Sequence, residues 1–165
     1  MTTPIPARPP SHRIGRDLED QVEALLCTWA VPYRRGYSIV TSFSSRFTTD
    51  FWLPAVDGRP AVVIEAKNFG VAAIRTADSR ARKGQEALYL LVHLRRHCTE
   101  TRWARIVLMC GAEKFSSEQI KFLSAELGPD FHVVPIDEPE RLRALVLPGA
   151  SAPGQESAPT PSADA

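Results

Sequence analysis

The sequence predicts an α/β fold, on three observations. Two short apolar runs, Ala61-Val62-Val63-Ile64 and Ile106-Val107-Leu108-Met109, read as buried strands. Leu18, Val22, Leu25, Leu26 and Trp29 recur at helical spacing, as do Ala87, Leu88, Leu91 and Leu94 further on. Turn residues separate the segments: Pro32, Ser44-Ser45-Arg46 and Asp57-Gly58.

The elements follow in order. Arg16 to Ala30 reads as a helix that Pro32 ends, because proline cannot continue the hydrogen-bond ladder. Tyr37 to Phe43 and Phe47 to Leu53 read as strands joined by the polar Ser44-Ser45-Arg46 turn. Asp57-Gly58 marks the next hairpin, and Ala61 to Lys67 the third strand. Ser79 to His97 is predicted helical, and Arg105 to Cys110 a buried strand. Ser116 to Leu127 reads as a helix opened by a capping box of Ser116 with Gln119. Phe131 to Ile136 is a last strand, and Glu138 to Leu145 a short helix with Asp137 as its N-cap. The expected order is therefore helix, three strands, helix, strand, helix, strand, helix.

The chain has 165 residues, with a hydrophobic fraction of 44% and a charged fraction of 24%, values suited to one globular domain. Residues 1–12 are Pro-rich and read as a flexible arm; 148–165, rich in Pro, Ala and Ser, reads as a disordered tail, because it buries too little surface to offset its ordering entropy. The folded domain is expected over 13–147. The first ten residues carry no apolar signal region, and no run approaches membrane-spanning length, so a cytoplasmic protein without membrane contact is expected. Cys27, Cys98 and Cys110 are scattered without CxxC spacing, which implies neither a disulfide framework nor a zinc site. The net charge of +1 is uninformative, but Arg75, Arg80, Arg82, Lys83, Arg95, Arg96, Arg102 and Arg105 crowd one stretch. Only Asp78, Glu86 and Glu100 oppose them there. Such a stretch suits a polyanion or a solvated helix face.

The third strand ends abruptly in charge, as Glu65-Ala66-Lys67. Ions at the edge of a core are costly unless they build something. Side chains alternate along a strand, so Glu65 and Lys67 share a face, and Asp50 on the preceding strand can reach it. Two oxygen donors beside an amine suit a divalent cation and phosphodiester chemistry.

Asp on the second strand and Glu-x-Lys on the third, within this order of elements, resembles the PD-(D/E)XK nuclease superfamily. The resemblance covers about Gly15 to Cys110. Gly15-Arg16-Asp17-Leu18-Glu19-Asp20-Gln21-Val22 is similar to the Gly-x-x-x-Glu-x-x-Val helix opening of Mrr-like and resolvase-like members. Gln85-Glu86-Ala87-Leu88-Tyr89 fits the Gln-x-x-x-Tyr motif of the RecB-like branch. The proline that often precedes the strand-two Asp is absent, the residues being Thr48-Thr49-Asp50.

The resemblance implies a restriction-endonuclease-like αβββαβ core with a mixed central sheet flanked by helices. It also implies a metal-dependent deoxyribonuclease. Asp50, Glu65 and the Ala66 carbonyl would hold Mg2+ or Mn2+, with Lys67 assisting a water made nucleophilic by the cation. Glu19 would hold the metal through water or ligate a second ion, with Glu23 as its substitute. Gln85 and Tyr89, on one helix face, would position the water or the phosphate. Arg80, Arg82, Lys83, Arg95 and Arg96 are the expected nucleic-acid contacts. An iron–sulfur cluster, which some RecB-like members carry on four cysteines, is disfavoured by the three dispersed ones here.

His93 and His97 have zinc-compatible spacing but no recognisable third ligand, and are read as helix surface or phosphate contacts. His132 is read as structural, and Trp103 as bridging a helix to a strand. No phosphate-binding Gly-x-x-x-x-Gly-Lys loop occurs. DNA is the expected partner. A Holliday-junction-resolvase-like endonuclease, which would need a homodimer, is the nearest alternative within the enzyme class. A non-catalytic DNA-binding module of the same fold and an RNA-directed toxin are the others.

Overall fold

The computed structural model describes residues 11–40, 46–56, 58–67, 89–98, 101, 103–111 and 117–147. They form a five-stranded mixed sheet flanked by four helices. The elements are α1 (Ser11–Thr28), β1 (Arg34–Val40), β2 (Arg46–Leu53), β3 (Val62–Lys67), α2 (described over 89–97), β4 (Arg105–Cys110), α3 (Ser117–Leu127), β5 (Phe131–Pro135) and α4 (Pro139–Val146). The strand order is β1-β2-β3-β4-β5. The first three strands are antiparallel neighbours, and β3, β4 and β5 run parallel.

This arrangement follows from the connections. Val56 and Arg59 exchange both backbone hydrogen bonds, at 3.2 and 2.9 Å, and Gly58 takes the left-handed φ of 75°, so the chain returns beside itself. Parallel neighbours instead need a crossover, which the segment containing α2 supplies between β3 and β4, and α3 between β4 and β5.

Two apolar layers cover the sheet. Leu18, Val22 and Leu26 of α1 and Leu142 and Leu145 of α4 pack on Phe51, Ile64, Val107 and Met109. Leu91 and Leu94 of α2 and Leu123 and Leu127 of α3 pack on the opposite face, against Val63, Ile106 and Leu108. Because β3 and β4 are covered on both sides, they need continuous apolar sequence, and that is why they were readable as strands. Each fully buried leucine of this kind contributes about 1.5–3 kcal/mol.

Several boundaries differ from expectation. α1 starts at Ser11 rather than Arg16 and ends at Thr28 rather than Ala30. The helix runs through Gly15 back to the residue after Pro10, and Ala30 takes a φ of 54° just past its end. β1 begins at Arg34, three residues before the expected Tyr37, because charged residues on an edge strand hide its pattern. Glu138, not Asp137, is the N-cap of α4, without a side-chain capping bond; Pro139 starts the helix with its φ already set. Ser116 of the expected capping box lies outside the described residues. Among the described residues, no helix is long and apolar enough to cross a membrane.

Candidate active site

β2 and β3 pair through Leu53–Val62, Trp52–Val63 and Phe51–Ile64. One more step would set Asp50 opposite Glu65, but the ladder stops at Phe51–Ile64. Instead the Asp50 carboxylate accepts the Ala66 backbone N–H on Oδ2, at 2.7 Å. A side chain has taken the place of the ladder, and the two strands fork.

The neighbouring ladder changes at the same level. β1 and β2 pair at Arg35–Phe51 and Tyr37–Thr49, and the ladder skips Gly36 and Asp50 between them. Gly36 has a φ of 61°, and no neighbouring atom lies within 4 Å of where a Cβ would stand, so the glycine is needed for its conformation and not for space. Strand alternation breaks here. Phe47 and Phe51 are four residues apart, yet they pack against opposite layers. Asp50 stands at this break.

Glu65 and Lys67 project on one face, as the period of two requires. Lys67 Nζ donates to Glu65 Oε1 at 2.5 Å. The Glu65 side chain is only 3% exposed, and that of Lys67 is 35% exposed. The second Glu65 oxygen, Oε2, is buried with no hydrogen-bond partner in the structure. An unmet buried acceptor of this kind costs about 1–3 kcal/mol.

The electrostatics follow from burial of the acids and from the acids around the base. Burial raises the Asp50 carboxyl, with the Ala66 N–H and Lys67 only partly countering it. Burial also pushes Glu65 up to about 7, against the pull of Lys67 and with the added repulsion of Asp50. Burial alone would lower Lys67, but Glu65, Asp50 and Glu19 outweigh it and raise the ammonium. Burial thus makes both acids hold their protons more tightly than usual, and the surrounding carboxylates do the same for the base.

The fork fits a divalent cation. It offers an orphaned carboxylate oxygen on Glu65 and the adjacent Asp50 carboxylate. A strand residue directs its N–H and C=O to the same side, so the Ala66 carbonyl faces Asp50 as its N–H does. A site that keeps several waters on Mg2+ needs no more protein oxygens than these. Among the described residues, no group of three or more His, Cys, Asp or Glu side chains is placed to hold a metal.

The remaining predicted residues are distributed unevenly. Glu19 is on α1 and close enough to raise Asp50 and Lys67, but its Oε2 is held by Arg35 at 2.9 Å. Glu23 is held by Arg35 and Tyr33. Tyr89, at the start of described α2, is 77% exposed. Gln85, Arg80, Arg82 and Lys83 lie outside the described residues. Arg95 is half-buried and donates to the Ala104 carbonyl at 3.0 Å, while Arg96 pairs with Glu126 at 2.6 Å. These two arginines therefore tie α2 to its surroundings.

His93 lies between the Phe47 and His97 rings, at centroid distances of 4.6 and 4.8 Å. Trp103, expected to bridge a helix and a strand, is instead 78% exposed on the turn before β4. A cleft of about 330 Å³ lies beside β5, lined by residues including Cys110, Ile120, His132 and Arg141, and contains none of the fork residues.

Sequence reasoning missed Arg35. It bonds Glu19, Asp20 and Glu23 at once and lies over the Phe51 ring, 5.8 Å from its centroid. A signal was present in the four-residue spacing of Glu19 and Glu23, which puts both on one helix face. Starting β1 three residues late removed the arginine from the strand that faces them.

No protein-family model matches this chain, and no curated protein matches it.

Proposed function

We propose that this protein is a metal-dependent nuclease of the PD-(D/E)XK kind that hydrolyses DNA phosphodiester bonds at the β2–β3 fork. The observation that carries this reading is the buried, unmet Oε2 of Glu65 beside Asp50, with Lys67 fixed on the other oxygen. A purely structural Glu–Lys pair would satisfy both oxygens, because a half-satisfied buried carboxylate destabilises the fold.

Asp50, Glu65 and the Ala66 carbonyl are the groups that would hold Mg2+ or Mn2+. Bound there, the cation supplies positive charge for the phosphoryl oxygens and acidifies a coordinated water. Lys67 keeps its proton through Glu65, Asp50 and Glu19, and its partly exposed ammonium is available to orient a water or a phosphate oxygen. Asp50 also anchors the fork itself through the Ala66 N–H. The restriction-endonuclease-like core is part of the same proposal, supported by the antiparallel β1–β3 meander followed by the parallel step to β4.

The test is incubation with linear, circular, single-stranded and branched DNA, and with RNA, in Mg2+, Mn2+ or EDTA, beside Lys67→Ala and Asp50→Asn. Metal-dependent cleavage of DNA by wild type and its loss in both variants is the expected result. Equal cleavage by all three proteins would reject the site. DNA binding without cleavage would favour a non-catalytic module.

A further inference from the structure

We infer that Arg34, held against the Tyr37–Trp52 stack, grips a backbone phosphate of the nucleic-acid strand cut at the fork. The inference rests on the reading of the fork as a phosphodiester-cleaving site and adds a substrate contact to it. Two neighbouring arginines on β1 are used in different ways. Arg35 gives its N–H groups to Glu19, Asp20 and Glu23. Arg34 is exposed and, among the described residues, forms no ion pair.

The geometry holds Arg34 in place without using its donors. Its guanidinium stands over the Tyr37 ring, 5.5 Å from the centroid, and Tyr37 stacks on Trp52 at 5.5 Å with 20° between the ring planes. On a regular strand, residues three apart face opposite sides. The ladder skips Gly36, whose φ is 61°, and Arg34 and Tyr37 meet on one side. A cation–π contact uses the attraction between the charge and the ring and leaves the guanidinium N–H groups free. Those N–H groups match a phosphate bidentately, as a lysine ammonium cannot.

The stack adjoins the fork on the same side of the sheet. Arg34 pairs with Trp52, and Trp52 with Val63. Tyr37, Trp52 and Val63 belong to the α2–α3 layer. Glu65 and Lys67 lie two and four residues beyond Val63 and so project to that side, while Ile64 and Ala66 belong to the other layer. Two strand spacings across and two residues along set the Arg34 and Glu65 Cα atoms roughly 12 Å apart, short enough for one substrate strand to touch both side chains. The two expected nucleic-acid contacts within the described residues are engaged elsewhere, Arg95 with the Ala104 carbonyl and Arg96 with Glu126. Arg34 supplies beside the fork the unanswered positive charge that a phosphodiester backbone requires.

The experiment measures binding of fluorescein-labelled single-stranded and duplex DNA by fluorescence anisotropy in EDTA, over a range of NaCl concentrations. The proteins are wild type, Arg34→Gln, Arg34→Lys and Arg143→Gln, the last removing an equal charge from α4 on the other layer. Arg34→Gln is expected to bind about 5- to 10-fold more weakly, and its dependence of log affinity on log salt to be shallower by about 0.7–0.9, the loss of one phosphate contact. Arg34→Lys should keep the wild-type slope and recover part of the affinity, and Arg143→Gln should match wild type. In Mg2+, Arg34→Gln is expected to raise KM for cleavage. An unchanged slope in Arg34→Gln, or an equal change in Arg143→Gln, overturns the inference and leaves the cleavage site standing, since that is decided by Lys67→Ala and Asp50→Asn. A wild type that binds no DNA overturns both.

Discussion

The two ends of the sheet each sink charge into the edge of the core, and they handle it differently. At the fork, the Glu65 carboxylate is favoured by the Lys67 ammonium and the Asp50 backbone N–H, while its Oε2 is left without a hydrogen-bond partner. At the opposite end Arg59 is only 5% exposed, yet its guanidinium donates to the carbonyls of Pro54, at 2.7 Å, and Pro60, at 3.1 Å. Beside it, Arg105 donates to the Leu145 carbonyl at 2.6 Å. The arginines fasten a hairpin and the last turn of α4. Each leaves its Nε buried without a partner, a smaller loss for a group with five donors. Buried charge answered by the chain's own carbonyls is architecture. Buried charge left half answered at an open fork is the observation on which the proposed metal site rests.

The sharpest way to break that contrast is Glu65→Gln. An amide of equal size keeps the packing and removes the negative charge. Cleavage in Mg2+ is expected to fall about 1,000-fold, in the range of removing one transition-state electrostatic contact. Retained cleavage would make Glu65 as architectural as Arg59.

The pH dependence sharpens it next. Glu65 is raised from 4.5 to about 7 by burial, so the folded protein holds that proton more tightly than the unfolded chain. Stability is therefore full below pH 4.5 and declines as pH rises through about 7, by roughly 3 kcal/mol. Asp50, also raised by burial, acts in the same direction. Metal-free thermal melts from pH 4.5 to 8 should show the decline, Mg2+ should reverse it at the upper end, and Glu65→Gln should flatten much of it. A metal-free protein that gains stability across that window would contradict the argument.

At the far end, Arg59→Ala leaves two carbonyls and a packed stem without partners. A loss of about 2–3 kcal/mol in urea unfolding is expected, with cleavage per folded molecule unchanged. A folded but inactive Arg59→Ala would erase the distinction between the ends. The smallest effect belongs to Gly36→Ala. A Cβ there meets no atom within 4 Å, so only the strained φ of 61° is penalised, by about 1 kcal/mol.

How much was legible differs by element. β4 was readable to the residue, Arg105 to Cys110, and β3 to within one, because a strand buried on both faces has no polar positions to blur it. β1 was not, since Arg34, Arg35 and Gly36 carry no apolar signal and sit on an edge. Asp50, Glu65 and Lys67 were readable as a group because alternation alone puts the latter two on one face. Glu19 was legible as a residue but not in its partner.

By itself, then, the sequence determined the elements whose burial pattern is periodic and the identity of the charges that interrupt it. Tertiary structure decided which of those charges meet. Asp50 ends the β2–β3 ladder by bonding the Ala66 N–H, a contact between residues 16 apart that no local pattern encodes. Arg35 claims Glu19, Asp20 and Glu23 only because the edge of the sheet brings β1 against α1. Periodicity reports what a segment buries; which ions lie within bonding reach depends on strand register and on a break at a single glycine.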